Sequence, residues 1–375
     1  AEDAREPEAR LAIAMAAAHA ASDYLGDPDK ALAVLVPLLD AELADLAACK
    51  RIEELALRKS DVALVERALE AACKLAIGNV EPSEQVAMLT RLGEARIVLE
   101  RLPGAVEAFR EVLDVEPGAP AAVRGLEQVL ARAGTGTLPE GLLDALDNAY
   151  QAANDVAGLA RVATVRLRDA EGGDRMTLLQ TLGTLCDQGG GSAADALEAW
   201  GALLAMDGEA GGALERVLAL AEQRELAARA GELLAAAVAA GAAAGRVAVL
   251  LSLAATRLWL EVLGNPDTAA KALQPLLDDQ ADHVDALALL VAIERARGDA
   301  KGLHVALRRS AAAQADPLVA VGIWRDAATV AETSLADDAA AIDDLRQLLD
   351  ADEADREGWQ RLLALLARGS DHEAY

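Results

Sequence analysis

Apolar and polar positions recur along the chain over a long period. The segment Leu25–Asp40 reads LGDPDKALAVLVPLLD and the segment Leu263–Asp278 reads LGNPDTAAKALQPLLD, with ten of sixteen positions identical. Such identity between two parts of one chain indicates an internal repeat, and repeats of this kind are typical of solenoids and arrays. We therefore expect the chain to fold as a row of similar units.

Five segments share one apolar helical face. Each has a small residue, a large apolar residue four positions later, and two apolar residues at the seventh and eighth positions. The small residues are Ala31, Ala105, Ala196, Ala269 and Ala341, and the large ones are Leu35, Phe109, Trp200, Leu273 and Leu345. These positions lie on one side of an α-helix. We call these five helices the column helices and predict that the Ala admits a close neighbour while the large residue fills the space beside it.

The repeat unit has room for about four helices. The copies are 74, 91, 73 and 72 residues apart, so the unit is close to 73 residues. Asp61, Asp155 and Asp299 are predicted to cap a second helix pair, because a carboxylate offsets the positive helix N-terminus. The long second interval predicts an additional helix near Ala119–Ala133 and an irregular step there. Breaks at Gly, Pro and Asp predict about twenty helices in all.

Composition agrees with an all-α array. Apolar residues make up 53% of the chain but aromatic residues only 2%, which favours closely packed helices over strands. We predict one continuous solenoid over residues 1–375. Its expected sub-units are approximately 8–81, 82–173, 174–245, 246–316 and 317–375.

One stretch carries a more specific motif. The segment Val86–Ala119 resembles a tetratricopeptide repeat (TPR), and the five matching residues are Leu92, Gly93, Ala105, Phe109 and Pro117. The usual Trp and Tyr of the first helix are missing. The four-helix period is also similar to long TPR-like arrays of large bacterial proteins, and the preference for Arg over Lys suggests a bacterial genome. The resemblance implies a right-handed superhelix of antiparallel helix hairpins with a groove for peptides or proteins.

The resemblance also places candidate groove residues. Family members that bind chaperone tails clamp a carboxylate with Lys, Asn and Arg, whereas the corresponding positions here include Thr90, Glu94 and Val98. We therefore expect a different mode of binding, with Thr90 and Glu94 as candidate partner contacts.

Charge restricts the partners. The formal net charge is −27, from 62 acidic and 35 basic residues. Such a field repels a phosphate backbone or an anionic leaflet, so nucleic acid and membrane are not expected partners. Acidic residues are densest from Asp337 to Glu357. This segment is either a solvated face or a docking patch for a basic protein, with Asp343 and Asp344 as candidate contacts.

The four tryptophans divide into two groups. Trp200 and Trp359 align with apolar positions of other copies and are predicted to be core residues. Trp259 and Trp324 do not align in this way. They are candidate partner contacts because interfaces favour Trp, and core packing is the alternative.

No pattern of catalytic or metal-binding residues is present in the sequence. P-loop, GxSxG, HExxH, GxGxxG and EF-hand motifs are absent. The histidines His19, His283, His304 and His372 are isolated, and the cysteines Cys49, Cys73 and Cys186 have no CxxC spacing. We expect no cofactor, no metal and no enzymatic activity.

The chain ends give weak information about compartment. An acidic leader precedes the apolar run from Leu11 to Ala21, unlike a signal peptide, and there is no initiating Met. A processed chain or a fragment is expected. The apolar segment Leu233–Ala255 contains Arg246 and is interpreted as a buried hairpin. The expected location is the cytoplasm, with export possible if a signal has been removed.

Three functions remain open. A protein-interaction scaffold is favoured by the repeat and the large acidic surface. A self-assembling structural element is the second, because the apolar stripe Trp359, Leu362, Leu363 and Leu366 on the last helix needs covering. The third is a regulatory domain of a larger protein or an enzyme whose catalytic module lies elsewhere.

Overall fold

A computed structural model describes residues 5–241 and 244–368. In these two ranges the chain forms twenty α-helices and no strand. The described residues divide into two compact units, the first comprising residues 5–169 with 188–190 and the second residues 170–187 with 191–241 and 244–368. His372 lies outside the described residues.

The first unit contains nine α-helices. They are α1 (Arg5–His19), α2 (Pro28–Asp40), α3 (Leu46–Arg58), α4 (Val62–Ala76), α5 (Pro82–Val98), α6 (Leu102–Val115), α7 (Pro120–Ala133), α8 (Leu142–Ala153) and α9 (Val156–Arg166). The additional helix predicted near Ala119–Ala133 is thus present as α7.

The second unit contains eleven α-helices in its described residues. They are α10 (Gly172–Leu185), α11 (Ala193–Met206), α12 (Ala213–Ala221), α13 (Arg224–Ala239), α14 (Gly245–Arg257), α15 (Pro266–Asp279), α16 (Val284–Arg297), α17 (Ala300–Ala312), α18 (Pro317–Val330), α19 (Asp338–Ala351) and α20 (Arg356–Arg368). The column helices are α2 and α6 in the first unit and α11, α15 and α19 in the second.

Helices pack in the order in which they occur. Within each unit, every helix lies against the next one along the chain, and alternate helices such as α5 and α7, or α11 and α13, also touch. Short connections make successive helices antiparallel, so each unit is a row of hairpins. Within the described residues of each unit, the predicted all-α array of helix hairpins is confirmed. The division into five sub-units stays a prediction.

Side-chain caps decide where many helices begin. Asp61 accepts a hydrogen bond from the Leu64 backbone N–H at 3.1 Å, and Asp155 accepts one from Gly158 at 2.9 Å. Asp299 accepts one from Lys301 at 3.0 Å. Each bond satisfies a backbone donor that has no partner within the helix. The three predicted caps are confirmed.

The recurring small and large residues of the column helices lie in the core. All five Ala residues are buried, and so are the five large residues four positions later. Glycines in neighbouring helices leave room for two of these large side chains. A Cβ atom at Gly93 would stand 2.6 Å from the Phe109 ring, and one at Gly125 would stand 2.1 Å from it. Phe109 is therefore held between two glycines, and Trp200 packs on Gly183 in the same way.

Four of the five column helices follow a π-helical turn. These turns are Ala20–Tyr24, Cys186–Gly190, Leu258–Val262 and Ala331–Leu335. A left-handed residue connects three of the turns to the next helix, namely Gly26, Gly264 and Ala336. A π turn inserts one residue into the helical ladder, which the sequence pattern did not reveal.

Candidate interaction surfaces

Three grooves lie beside the C-terminal ends of column helices. The first, of about 510 Å³, lies between α2 and α4. The second, of about 160 Å³, lies between α6 and α8. The third, of about 390 Å³, lies between α19 and α20. The first two grooves belong to the first unit and the third to the second unit.

The three grooves use the same repeat positions. One wall of each contains the Leu eight residues after the recurring Ala and the Asp that follows it. These pairs are Leu39 and Asp40, Leu113 and Asp114, and Leu349 and Asp350. An arginine also lines each groove, namely Arg67, Arg110 and Arg346. The repeat therefore places a Leu and an Asp at equivalent positions in all three grooves, whereas the arginine comes from α4 in the first groove and from the column helix in the other two.

The recurring Asp is unfavourable for the helix that carries it. A carboxylate in the last turn lies close to the negative end of the helix dipole, which destabilises the helix by a few tenths of a kcal/mol. In the first groove, Arg67 of α4 forms a salt bridge with Asp40. In the third groove, Arg346 instead lies 3.7 Å from Asp343. Asp350 is thus an exposed carboxylate with no basic partner among the ion pairs of the described residues.

The predicted groove residues Thr90 and Glu94 both lie on α5. Glu94 is exposed and Thr90 is half-buried. The Thr90 hydroxyl has no hydrogen-bond partner among the described residues. Next to it, Arg91 reaches the buried Glu53 of α3 at 3.1 Å. A partner role for Thr90 and Glu94 stays a prediction.

The interpretation of the tryptophans is confirmed in part: Trp200 lies in the core as the internal alignment predicted, whereas Trp359 does not. Trp324 is only 8% exposed and belongs to the core around α18 and α19, so its ring is not at the surface. Trp259 is half-buried and packs on Gly231. Trp359, expected in the core, is 46% exposed and donates its indole N–H to the Glu353 carbonyl at 3.0 Å. The internal alignment placed Trp359 on a helix face that is covered in other copies, but no described helix covers Trp359 itself.

Fewer carboxylates of the acidic segment 337–357 are exposed to solvent than its composition suggests. Asp343 is exposed, but Asp344 is fully buried, so the expected pair of surface carboxylates is reduced to one. His304 Nε2 lies 2.6 Å from Asp344 Oδ2, and Arg308 Nε lies 3.3 Å from Oδ1. Burial raises the pKa of Asp344, while His304 and Arg308 act in the opposite direction. This cluster ties α17 to α19.

Other acidic residues of this segment are also engaged. Asp355 forms a salt bridge with Arg325, and Asp338 lies 3.8 Å from Arg368. Asp337 caps α19 by accepting a hydrogen bond from Ala340 at 3.0 Å. The exposed carboxylates that remain beside the third groove are Asp350 and Glu353.

A recurring ion pair was missed at the sequence level. An acidic residue in the π turn pairs with an arginine of the second helix further on, 28 or 29 residues later in the chain. The pairs are Asp23 with Arg51, Asp187 with Arg216 at 3.5 Å, and Glu332 with Arg361 at 3.0 Å. The nearly constant spacing was the available signal. These pairs connect neighbouring hairpins, because the two partners lie in successive hairpins of the array.

Histidines and cysteines are accounted for by the fold. His283 caps α16 by accepting a hydrogen bond from the Ala286 N–H at 3.3 Å, and His19 lies 2.7 Å from Asp23. All three cysteines are buried, and burial raises the pKa of Cys49 and of Cys73 to about 11. Within the described ranges, no group of three or more His, Cys, Asp or Glu side chains is arranged to hold a metal ion.

Within the described ranges, no helix combines the length and the apolar character needed to cross a membrane. The apolar segment that contains Arg246 forms parts of α13 and α14, which pack against each other. The two helices are present, but the expectation of a buried hairpin is wrong for part of the segment, because Arg246 and Leu250 are exposed.

Comparison with known proteins gives only remote likenesses. No family model and no curated protein matches the chain. Among solved structures, it is similar to a TPR protein from Parabacteroides merdae, at 12% identity and a TM-score of 0.24, covering 74% of this chain and 96% of that one. It is also similar to the P58(IPK) TPR domain, at 13% identity and a TM-score of 0.23, covering 97% and 99%. At these scores the fold assignment rests on the helix packing of the chain itself.

Proposed function

We propose that the protein is a non-enzymatic scaffold that binds protein segments at the grooves beside its column helices. The observation that carries this proposal is the recurrence of one groove, with a Leu floor and an Asp edge, in three copies of the repeat. Asp114 and Asp350 are exposed carboxylates in the last turn of a helix, where they destabilise it, and a basic side chain of a partner would offset their charge.

The chemistry favours basic segments as partners. The net charge of −27 attracts basic polypeptides and repels phosphate-rich ones. Apolar floors with acidic edges suit helices or extended segments that carry both apolar and basic side chains. Nucleic acid and anionic membranes are not partners in this proposal.

Quantitative affinity capture from the native source tests the proposal. The full chain is compared with a groove variant carrying Asp40→Lys, Asp114→Lys and Asp350→Lys. A matched control carries Glu107→Lys, Glu225→Lys and Asp285→Lys, three exposed positions outside the groove linings, so both variants have the same net charge.

We expect the wild-type chain and the control to retain the same proteins and the groove variant to lose them. Retention should weaken between low and high salt, because exposed charges are screened. Equal retention by all three chains, or no specific retention by any, would contradict the proposal. Circular dichroism of the variants checks that they remain folded.

A further inference from the structure

A buried pair of ionisable side chains connects α17 to α19. His304 is 7% exposed and Asp344 is 0% exposed, and His304 Nε2 lies 2.6 Å from Asp344 Oδ2. Among the described residues, Asp344 Oδ1 has no hydrogen-bond partner, although Arg308 Nε lies 3.3 Å away. Because the Arg308 side chain is 42% exposed, the enclosed carboxylate depends mainly on His304 for a buried partner.

Asp344 is an exception within the repeat. It is the third residue after the recurring Ala of its column helix, and the residues at this position in the other copies are Val34, Ala108, Ala199 and Ala272. A carboxylate therefore stands where the other four column helices carry an apolar residue. A buried ion pair is seldom more stabilising than apolar residues of similar volume, so a gain in stability does not account for Asp344.

The residue at the position of His304 also differs from copy to copy. His304 is the fifth residue after the Asp cap of α17, and Glu66 and Ala160 hold the same position after the caps of α4 and α9. All three side chains are buried. Glu66 pairs with Arg101, just before the next column helix, at 2.6 Å. One buried position thus carries a carboxylate, a methyl group or an imidazole, depending on the copy.

We propose that these buried groups select which hairpins pack together, and that the His304–Asp344 pair admits α17, and no other copy's helix, beside α19. With α4 in the place of α17, Glu66 would enclose a second carboxylate next to Asp344. With α9 in that place, Ala160 would leave Asp344 without a partner. Repulsion between like charges opposes the first arrangement, and the cost of an unpaired buried charge opposes the second.

The chain needs such a selection because its copies resemble one another. The five column helices share one apolar face, and apolar cores tolerate exchange between residues of similar size. Packing of a hairpin on the wrong copy, or exchange of hairpins between two molecules, is a characteristic failure of repeat proteins. A buried charge that only one neighbour can satisfy excludes these arrangements, as one buried Asn fixes the register of some coiled coils.

A double-mutant cycle in the full chain measures the selection. His304→Glu copies the residue of α4 and should lower the melting temperature by about 6 °C or more, because two carboxylates are then enclosed. In an Asp344→Ala background the same substitution should cost about 3 °C or less. The new carboxylate then meets the residue found in three other copies, and Arg308 lies four positions further along its own helix.

An exchanged pair tests the direct contact. His304→Asp alone should lower the melting temperature as His304→Glu does. Adding Asp344→His should recover most of that loss, because an imidazole and a carboxylate again face each other. Circular dichroism follows the melting, and hydrogen exchange of α17 and α19 assigns the transition to this part of the second unit.

Removal of the whole pair separates selection from stability. His304→Ala with Asp344→Ala gives α17 and α19 the residues of α9 and α11, and the melting temperature should stay within about 3 °C of the wild type. After unfolding in urea and dilution, a smaller fraction of this variant than of the wild type should return to the original elution volume in size exclusion. Hydrogen exchange of α17 to α20 should then show more than one population.

A matched control removes an exposed ion pair from the same unit. Glu198 and Arg229 lie 2.6 Å apart with side chains about half exposed. Glu198→Ala with Arg229→Ala should refold as completely as the wild type, because an exposed pair does not exclude a wrong neighbour.

Three outcomes would overturn the proposal. Equal costs of His304→Glu in the two backgrounds, or no recovery by the exchanged pair, would show that the two positions do not depend on each other. Complete and homogeneous refolding of the double Ala variant would show that the pair does not select the neighbouring hairpin. This last comparison does not require the single variants to fold.

Discussion

In the first and last copies of the repeat, the helix after the column helix begins with the same Asp cap, Asp45 or Asp355, but its neighbouring face is covered in only one of them. In the first copy, Cys49 and Glu53 are enclosed, whereas in the last copy Trp359 and Leu363 face solvent. The difference shows that the position of a residue in the repeat does not by itself determine how buried that residue is. Burial depends on whether a further helix packs on that face, because each unit of an array contacts only its neighbours.

The largest expected effect comes from placing a charge at the compared position. Cys49→Asp should destabilise the first unit by about 3 kcal/mol or more, because an unpaired carboxylate would be enclosed. Trp359→Asp should cost about 1 kcal/mol or less, since surface changes are mild. Denaturant unfolding monitored by circular dichroism measures both. Similar losses at the two sites would show that the last copy is as enclosed as the first.

The second prediction concerns the buried Glu53, whose counterpart is the apolar Leu363. Burial raises the pKa of Glu53 above its ordinary value of 4.5, and Arg91 and Lys50 offset this only in part. Between 4.5 and the raised value, the folded state binds more protons than the unfolded state, so stability falls as the pH rises through this window.

Glu53→Gln should remove that fall and leave the variant equal to or more stable than the wild type at neutral pH, by about 1 kcal/mol. Stability is measured by urea unfolding between pH 4 and pH 8, roughly the range in which a shifted Glu titrates. The variant Glu94→Gln serves as the control, because it removes an exposed carboxylate of α5 and the fall assigned to Glu53 should remain. A wild-type profile that rises through the window would refute the assignment.

A third, smaller effect is expected at the loop before the column helix. Gly26 in the first copy and Ala336 in the last both have left-handed backbone, with φ of 65° and 53°. This conformation costs a residue with a Cβ about 1 kcal/mol. Ala336→Gly should therefore gain about 0.5–1 kcal/mol and Gly26→Ala should lose about 1 kcal/mol, both seen as shifts in melting temperature.

No atom outside the neighbouring residues lies within 4 Å of a Cβ placed at Gly26, so a loss there would come from backbone strain alone. A loss of stability in Ala336→Gly would mean that the extra flexibility of the unfolded chain outweighs the strain.

The smallest expected effect concerns the ion pair between hairpins. Glu332 and Arg361 of the last copy lie 3.0 Å apart and are partly exposed, and Arg361 lowers the pKa of Glu332 through a side-chain hydrogen bond. A double-mutant cycle with Arg361→Met and Glu332→Gln should give a coupling free energy below about 1 kcal/mol. The coupling should shrink in high salt. A value that is independent of salt would indicate a packing contact.

Much of the fold was predictable because helices in an array form from local signals. The spacing of Ala and large apolar residues located the column helices, and acidic caps located the starts of α4, α9 and α17. The glycines that pack against aromatic rings and the π turns were not predicted. Gly125 is needed because the Phe109 ring of another helix lies against it, which the sequence of α7 alone does not show. A π turn adds one residue to the helical hydrogen-bond pattern without a distinct composition.

The candidate surfaces were less predictable than the fold. The internal comparison placed Trp359 in a core position, but the structure leaves it exposed beside Asp350. Trp324 follows the alternative left open for it and packs in the core, whereas Asp344, expected at the surface, is buried against His304. Composition shows that a segment is acidic, whereas only neighbouring helices determine which of its carboxylates are engaged.

By itself, the sequence determined the helical class, the repeat length and the apolar face of each column helix. These depend on local periodicity, which a helix carries along its own chain. The tertiary structure decided which faces are covered, which carboxylates are neutralised and where grooves remain. Those properties depend on helices that come from other parts of the chain, and periodicity within one helix carries no information about them.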